Sequence, residues 1–143
     1  MAASLYIIVM LVSARSARAI VAGQWTGATG SPPSALMVGP VPLDPFRKTV
    51  IVDAGDRYVT GTFRWMSRQA DFDPVHIPKH ADAALTHAAR AQDPAFDAIL
   101  IWARFPYWEI SEKPEGRTVT LKDVRFAQVT RGGFSATTIV QQP

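Results

Sequence analysis

Lys48-Thr-Val-Ile-Val-Asp53, then Ala54-Gly-Asp56, then Arg57-Tyr-Val-Thr-Gly-Thr-Phe-Arg-Trp65 reads as two strands joined by a tight, glycine-containing turn. On the second arm Tyr58, Thr60, Thr62 and Arg64 point one way, and Val59, Gly61, Phe63 and Trp65 point the other. The second set is the expected core face. Gly61, set between bulky neighbours, marks a bulge or the close approach of another backbone.

Upstream, Ala35-Leu-Met-Val38 is a short apolar run closed by Gly39-Pro40-Val-Pro42, and a proline-bounded strand of that kind belongs at a sheet edge. Downstream, Asp71-Phe-Asp-Pro-Val-His-Ile-Pro78 reads as a loop through its prolines and aspartates. The Ala-rich stretch from Lys79 to Gln92 is helical. Asp93-Pro94 then supplies the cap and first residue of a second helix reaching about Arg104. Phe105–Ile110, Arg117–Leu121, Val124–Val129 and Phe134–Val140 follow as strands. Strands, helices and strands again predict an α+β fold: a mostly antiparallel β-sheet domain with the two middle helices on one face.

Met1-Ala-Ala-Ser-Leu-Tyr-Ile-Ile-Val-Met-Leu-Val12 carries no charge and is followed at once by Arg15 and Arg18. The helical pattern begins near Ala3, reaches Gln24 or a little beyond, and is ended by Gly27, Gly30 and Ser31-Pro-Pro-Ser34. The uncharged part covers roughly 18 Å as helix, against a hydrocarbon core of about 30 Å. Arginine costs about 2.5–3.5 kcal/mol at a bilayer centre, so Arg15 and Arg18 belong at an interface. A cleaved secretory segment fits poorly: Ala17-Arg18-Ala19 imitates a cleavage site, yet no basic residue precedes the apolar stretch. A helix in a soluble core or lying on a membrane surface is the competing reading. The expected organisation is an apolar helix over residues 1–30, the end of a membrane span, and an α+β domain over 31–143. Arginines just after the apolar run place that domain in the cytoplasm.

The chain has 143 residues, 48% of them apolar, enough for one domain with a real core. Arg15 and Arg18 are two of the 15 basic residues, which leaves 13 against 12 acidic residues beyond Gly23. No basic stripe exists to track a phosphate backbone, so no nucleic-acid partner is expected. The absence of cysteine excludes disulfides, Cys-ligated zinc and thiol catalysis. His76, His80 and His87 are the candidate metal ligands. Pro78 denies the first two a common helix, whereas His80 and His87 share a face of the Ala-rich helix. Nothing fixes their convergence, so no metal site is assigned. Asp44, Asp53 and Asp56 read as turn or strand-edge residues, and Asp123 with Arg125 as an ion pair. No nucleophile elbow, phosphate-binding Gly loop or metalloprotease helix is present. Trp65, Trp102, Phe105, Tyr107 and Trp108 are core or cleft residues. A ligand or partner face is expected around Tyr58, Arg64, Tyr107 and Trp108.

At Gly39-Pro-Val-Pro-Leu-Asp-Pro-Phe46, with Tyr58, Gly61, Phe105-Pro106 and Val119-Thr-Leu-Lys-Asp-Val-Arg-Phe126, the chain resembles the C-terminal part of the bacterial membrane-bound, metal-dependent hydrolases of the YdjM/YbcI type. In that family membrane helices with a histidine-rich motif precede a β-rich extramembrane domain that opens with a Pro-x-Pro-x-Asn-Pro segment. Asp44 replaces the usual Asn here, and Arg47-Lys48 stands where an apolar residue and Trp are common. The resemblance implies a fragment or short form at the bacterial inner membrane, with further membrane helices and the metal ligands in a part preceding Met1. It implies a divalent metal for the full-length family and no cofactor in this chain. No catalytic residue carries over, and this chain alone is expected to be inactive. The alternative is a non-enzymatic, membrane-anchored binding or interaction module.

Overall fold

The structure, a computed structural model, describes residues 2–79, 82–127 and 134–141, with side chains from residue 7 onward. Its elements are α1 (Ala2–Thr29), β1 (Ala35–Val41), β2 (Asp44–Asp53), β3 (Arg57–Arg64), β4 (Gln69–Pro78), α2 (Ala83–Gln92), α3 (Ala95–Trp102), β5 (Pro106–Lys113), β6 (Gly116–Asp123) and β7 (Ser135–Val140). The fold is α+β, as the sequence predicts. The strands form two antiparallel sheets rather than one, ordered β1-β2-β3-β4 and β5-β6-β7. Prolines explain the division. Pro40 on β1 and Pro74 and Pro78 on β4 remove N–H donors from both outer strands of the first sheet, which closes it to further pairing. The chain divides accordingly into two compact units, Met1–His76 and Ile77–Pro143.

In the first unit the β2–β3 hairpin has the expected pairing, with Val52 opposite Val59 and Val50 opposite Gly61. Val59 and Phe63 face inward with Val50 and Val52, and α1 covers them with Ala17, Val21 and Trp25, one residue per turn. Trp25 meets Phe72 of β4 edge-on at 5.3 Å. The Gln24 side chain behaves like a short extra strand. Its Nε2 donates to the Arg68 carbonyl at 2.8 Å, and its Oε1 accepts from the Ala70 N–H at 2.8 Å. Helix α1 ends at Gly30, whose φ of 76° is the left-handed conformation that closes a helix, with its N–H on the Thr26 carbonyl at 2.8 Å.

Residues 71–78, read as a loop from sequence, lie in β4. An edge strand tolerates Pro74 because one side of its backbone faces solvent. The aspartates that suggested a loop bind across to β3, Asp71 to Arg64 and Asp73 to Thr60. Gly61 is where β4 comes close: a Cβ there would lie 2.4 Å from the Asp71 carbonyl oxygen.

In the second unit α2 and α3 cover one face of β5-β6-β7. Ala89, Phe96 and Ile99 pack on Val119, Leu121, Ala136 and Val140. Asp93 works as read from sequence, accepting the Ala95 N–H at 2.8 Å. The expected strand at Val124–Val129 is a correction. Val124–Phe126 form a 3-10 turn, because the Asp123 side chain takes the Arg125 N–H and so offers the backbone a local alternative to a sheet ladder. Residues 128–133 lie outside the described residues.

Candidate functional site

Because β1 to β4 run antiparallel, the β1–β2 turn at Pro42-Leu43 and the β3–β4 turn at 65–68 come to the same end of the first sheet. The N-terminal half of α1 runs past that end. Ile7, Ile8, Val9, Leu11 and Val12 are each 55–60% exposed, whereas Ala17, Val21 and Trp25 further along are buried. One helix therefore serves two surroundings. Its C-terminal half is a soluble core helix and its N-terminal half has no apolar cover among the described residues. By length and composition Ile7–Thr29 is the one helical segment among the described residues that suits a membrane span.

Between this part of α1 and the turn end lies an apolar groove of about 610 Å³, lined by Val9, Val12 and Ser16 of α1 with Phe46, Trp65 and Met66. Phe46 and Met66 are exposed, and Trp65 keeps its Nε1 buried without a hydrogen-bond partner. Leu43 stands at the tip of the neighbouring turn. It is wholly exposed, and its φ of 64° is left-handed. A turn with proline in second place and a left-handed third residue normally takes Gly or Asn there. Leucine costs about 1–2 kcal/mol in that conformation. Lys48, two residues beyond Phe46 on the helix-facing side of β2, is only 3% exposed, and among the described residues its ammonium has no hydrogen-bond or ion-pair partner.

The residues chosen from sequence are distributed differently. Tyr58, buried, and Arg64, exposed and paired with Asp71, share a face of the first sheet. Tyr107 and Trp108 belong to the second unit and point to opposite faces of β5. Trp108 stacks on Phe96 at 5.5 Å with the rings nearly parallel, so it is part of the helix-covered core. His76 lies exposed on β4 and His87 exposed on α2, in different units, and His80 lies outside the described residues. Among the described residues no group of three or more His, Asp or Glu side chains is placed to hold a metal ion.

The lone carboxylates do structural work. Asp44 accepts the Phe46 and Arg47 N–H groups at 3.0 and 3.2 Å, and Asp53 accepts the Gly55 N–H at 2.9 Å. Asp123 is fully buried and pairs with Arg125, whose Nη2 donates to Oδ2 at 2.8 Å. Burial alone pushes its carboxyl up, but the hydrogen bonds of the Arg125 side chain and of the Arg125 and Arg104 backbones, with the guanidinium charge, hold it below the ordinary range. Tyr107 moves the other way. Burial, then the charge and hydrogen-bonding of Glu109, push its phenol up to about 12. Proton release is therefore weaker in the folded state than in the unfolded one, and stability is lost as pH rises from about 10 to about 12. Ultraviolet difference absorbance should show a tyrosine ionisation near pH 12, and Tyr107→Phe should remove that step.

Leu43, Phe46, Met66 and Lys48 escaped the sequence reading. A leucine directly after Pro42, in a turn place that favours Gly or Asn, was the visible sign. For Lys48 the sign was its place where Trp is common in the resembled family. Comparison with protein-family models, with curated proteins and with solved structures finds no match to this chain.

Proposed function

We infer that this chain is a membrane-anchored α+β module, held to a bilayer by the N-terminal half of α1 and presenting its sheets as a binding domain on the cytoplasmic side. The observation that carries the reading is the exposure of Ile7, Ile8, Val9, Leu11 and Val12 on a helix whose other half is locked into a core. Six residues from Ile7 to Val12 rise about 9 Å. That stretch enters the hydrocarbon of one leaflet, and Arg15 and Arg18 follow at headgroup level. Arginines directly after the apolar stretch support the cytoplasmic side.

The resemblance to the extramembrane part of the YdjM/YbcI-type hydrolases extends this reading. The module then serves as the substrate-side or regulatory part of an inner-membrane enzyme whose metal ligands are not among these residues. Asp44 supports it locally. An asparagine carbonyl would accept the Phe46 and Arg47 N–H groups equally well, so the departure from the family's Asn keeps the turn chemistry. The coding sequence upstream of Met1 tests this part: further apolar spans and a His-rich motif in frame support it, and a ribosome-binding site placed for Met1 counts against it.

Anchoring is tested on the untagged protein. Carbonate-washed membranes are expected to retain it, and Leu11→Asp is expected to lower retention at least about tenfold. An acidic side chain costs about 2.5–3.5 kcal/mol at the centre of a span and less toward an interface. Quantitative recovery of the parent protein in the soluble fraction overturns the reading.

A further inference from the structure

The geometry points to a second membrane contact, made by the turn end of the first sheet: Leu43, Phe46 and Met66 enter the interfacial layer of an anionic bilayer, while the exposed Arg15, Arg18 and Arg68 face lipid phosphates. This rests on the reading of α1 as an anchor and extends it from a single helix to a two-point dock.

Two observations converge on that end. Leu43 is an apolar side chain, wholly exposed, in a left-handed conformation that leucine rarely adopts. Nothing in the fold of the first unit uses its side chain, so both costs stand uncompensated in water. Phe46 and Met66, exposed on the neighbouring strand and turn, join it to the uncovered half of α1 through the apolar groove, so the apolar surface is continuous from the helix to the turns. The Trp65 ring lines the same groove.

The charges match the layer these side chains would reach. The carboxylates at this end are already occupied, Asp44 by Arg47 and Asp71 by Arg64. The exposed Arg15, Arg18 and Arg68 have no ion-pair partner among the described residues. Uncompensated cations beside exposed apolar side chains complement an anionic headgroup layer over hydrocarbon. A protein groove would more commonly present polar rims of both signs.

The chain has no cysteine, so a single introduced thiol reports one position. Leu43→Cys, Leu11→Cys and, toward the far end of β4, Val75→Cys are each labelled with an environment-sensitive dye. Each is then mixed with phosphatidylcholine vesicles with and without phosphatidylglycerol. With the anionic vesicles the labels at positions 43 and 11 are expected to shift to the blue and become shielded from iodide, while the label at 75 stays open. Leu43→Gly is expected to weaken vesicle binding at least about tenfold, the lower end of what burying one leucine side chain corresponds to. The same substitution should leave folding stability equal or higher, because glycine accepts the left-handed turn. A purely structural role for Leu43 predicts the reverse. Shielding at 11 with an open label at 43 leaves the helix anchor standing and overturns the dock. An open label at both positions overturns both readings. Shielding at 43 without vesicles identifies a second copy of the chain as the occupant, which also overturns the dock. Equal binding to neutral and anionic vesicles overturns the role given to the three arginines.

Discussion

Asp123→Ala is expected to lower the stability of the second unit by about 3–5 kcal/mol, the usual cost of removing one partner from a buried ion pair. The carboxylate accepts backbone N–H groups from Arg104 at 2.9 Å and Arg125 at 2.9 Å, and binds the Arg125 guanidinium through Nε and Nη2. Alanine leaves these donors facing a cavity from which Asp123 had excluded water. For a domain of 60–100 residues about 1 kcal/mol moves the midpoint by roughly 4–8 °C, so the thermal transition should fall by more than about 10 °C. Asp123→Asn restores only one acceptor oxygen and turns an NH2 group toward existing donors, so it should recover little. Urea unfolding followed by tryptophan fluorescence measures both variants. A loss below about 1 kcal/mol would show that Arg125 simply turns to solvent, since it is partly exposed already.

The same carboxylate predicts a pH dependence with a definite sign. Its folded-state value is depressed, so its contribution is present above the ordinary carboxylate value of 3.8 and is lost as pH falls through the lower, folded value. The parent protein should therefore lose this contribution below about pH 4, and Asp123→Ala should lack that component.

How far sequence reading reached follows from the range of the forces involved. The β2–β3 hairpin, the Asp93 cap and the helical run of α1 were legible because each rests on neighbouring residues: alternation, a capping side chain, a lack of breakers. The Asp123–Arg125 ion pair was legible for the same reason, although the 3-10 turn that the Asp123 side chain also caps was not. Long-range choices were hidden. Nothing local says that β4 forms, because Pro74 and Asp71 both argue against a strand until Arg64 and a free sheet edge are present. The choice between core and cleft was equally hidden for Tyr107 and Trp108: Tyr107 is buried and Trp108 is held against Phe96, a residue on a different element. The first helix fits both membrane and core by periodicity, which cannot tell them apart. Ala17, Val21 and Trp25 needed a sheet to bury them, and Ile7 to Val12 did not find one.

Glycine substitutions separate local from tertiary demands most sharply, and Gly61→Ala is expected to destabilise the first unit by about 3 kcal/mol, at the upper end for overpacking. The added Cβ would lie 2.4 Å from the Asp71 carbonyl oxygen and 3.1 Å from the Phe72 Cα, and neither is a side chain that can turn aside. β4 must move, and with it the contacts that seat α1: Phe72 against Trp25, and the Arg68 carbonyl and Ala70 N–H on the Gln24 amide. Trp25 fluorescence should therefore report a loosened helix even before global unfolding. Gly23→Ala makes the same chemical change in α1, where an added Cβ meets nothing within 4 Å. Here alanine only restricts the unfolded chain and favours the helix, so stability should rise by about 0.5–1 kcal/mol. Opposite signs from one added methyl group, read by urea unfolding of the two variants, are the outcome that the β3–β4 approach requires. A gain at both positions would mean that β4 does not lie against Gly61, and would remove the argument that this strand helps hold the anchor helix in place.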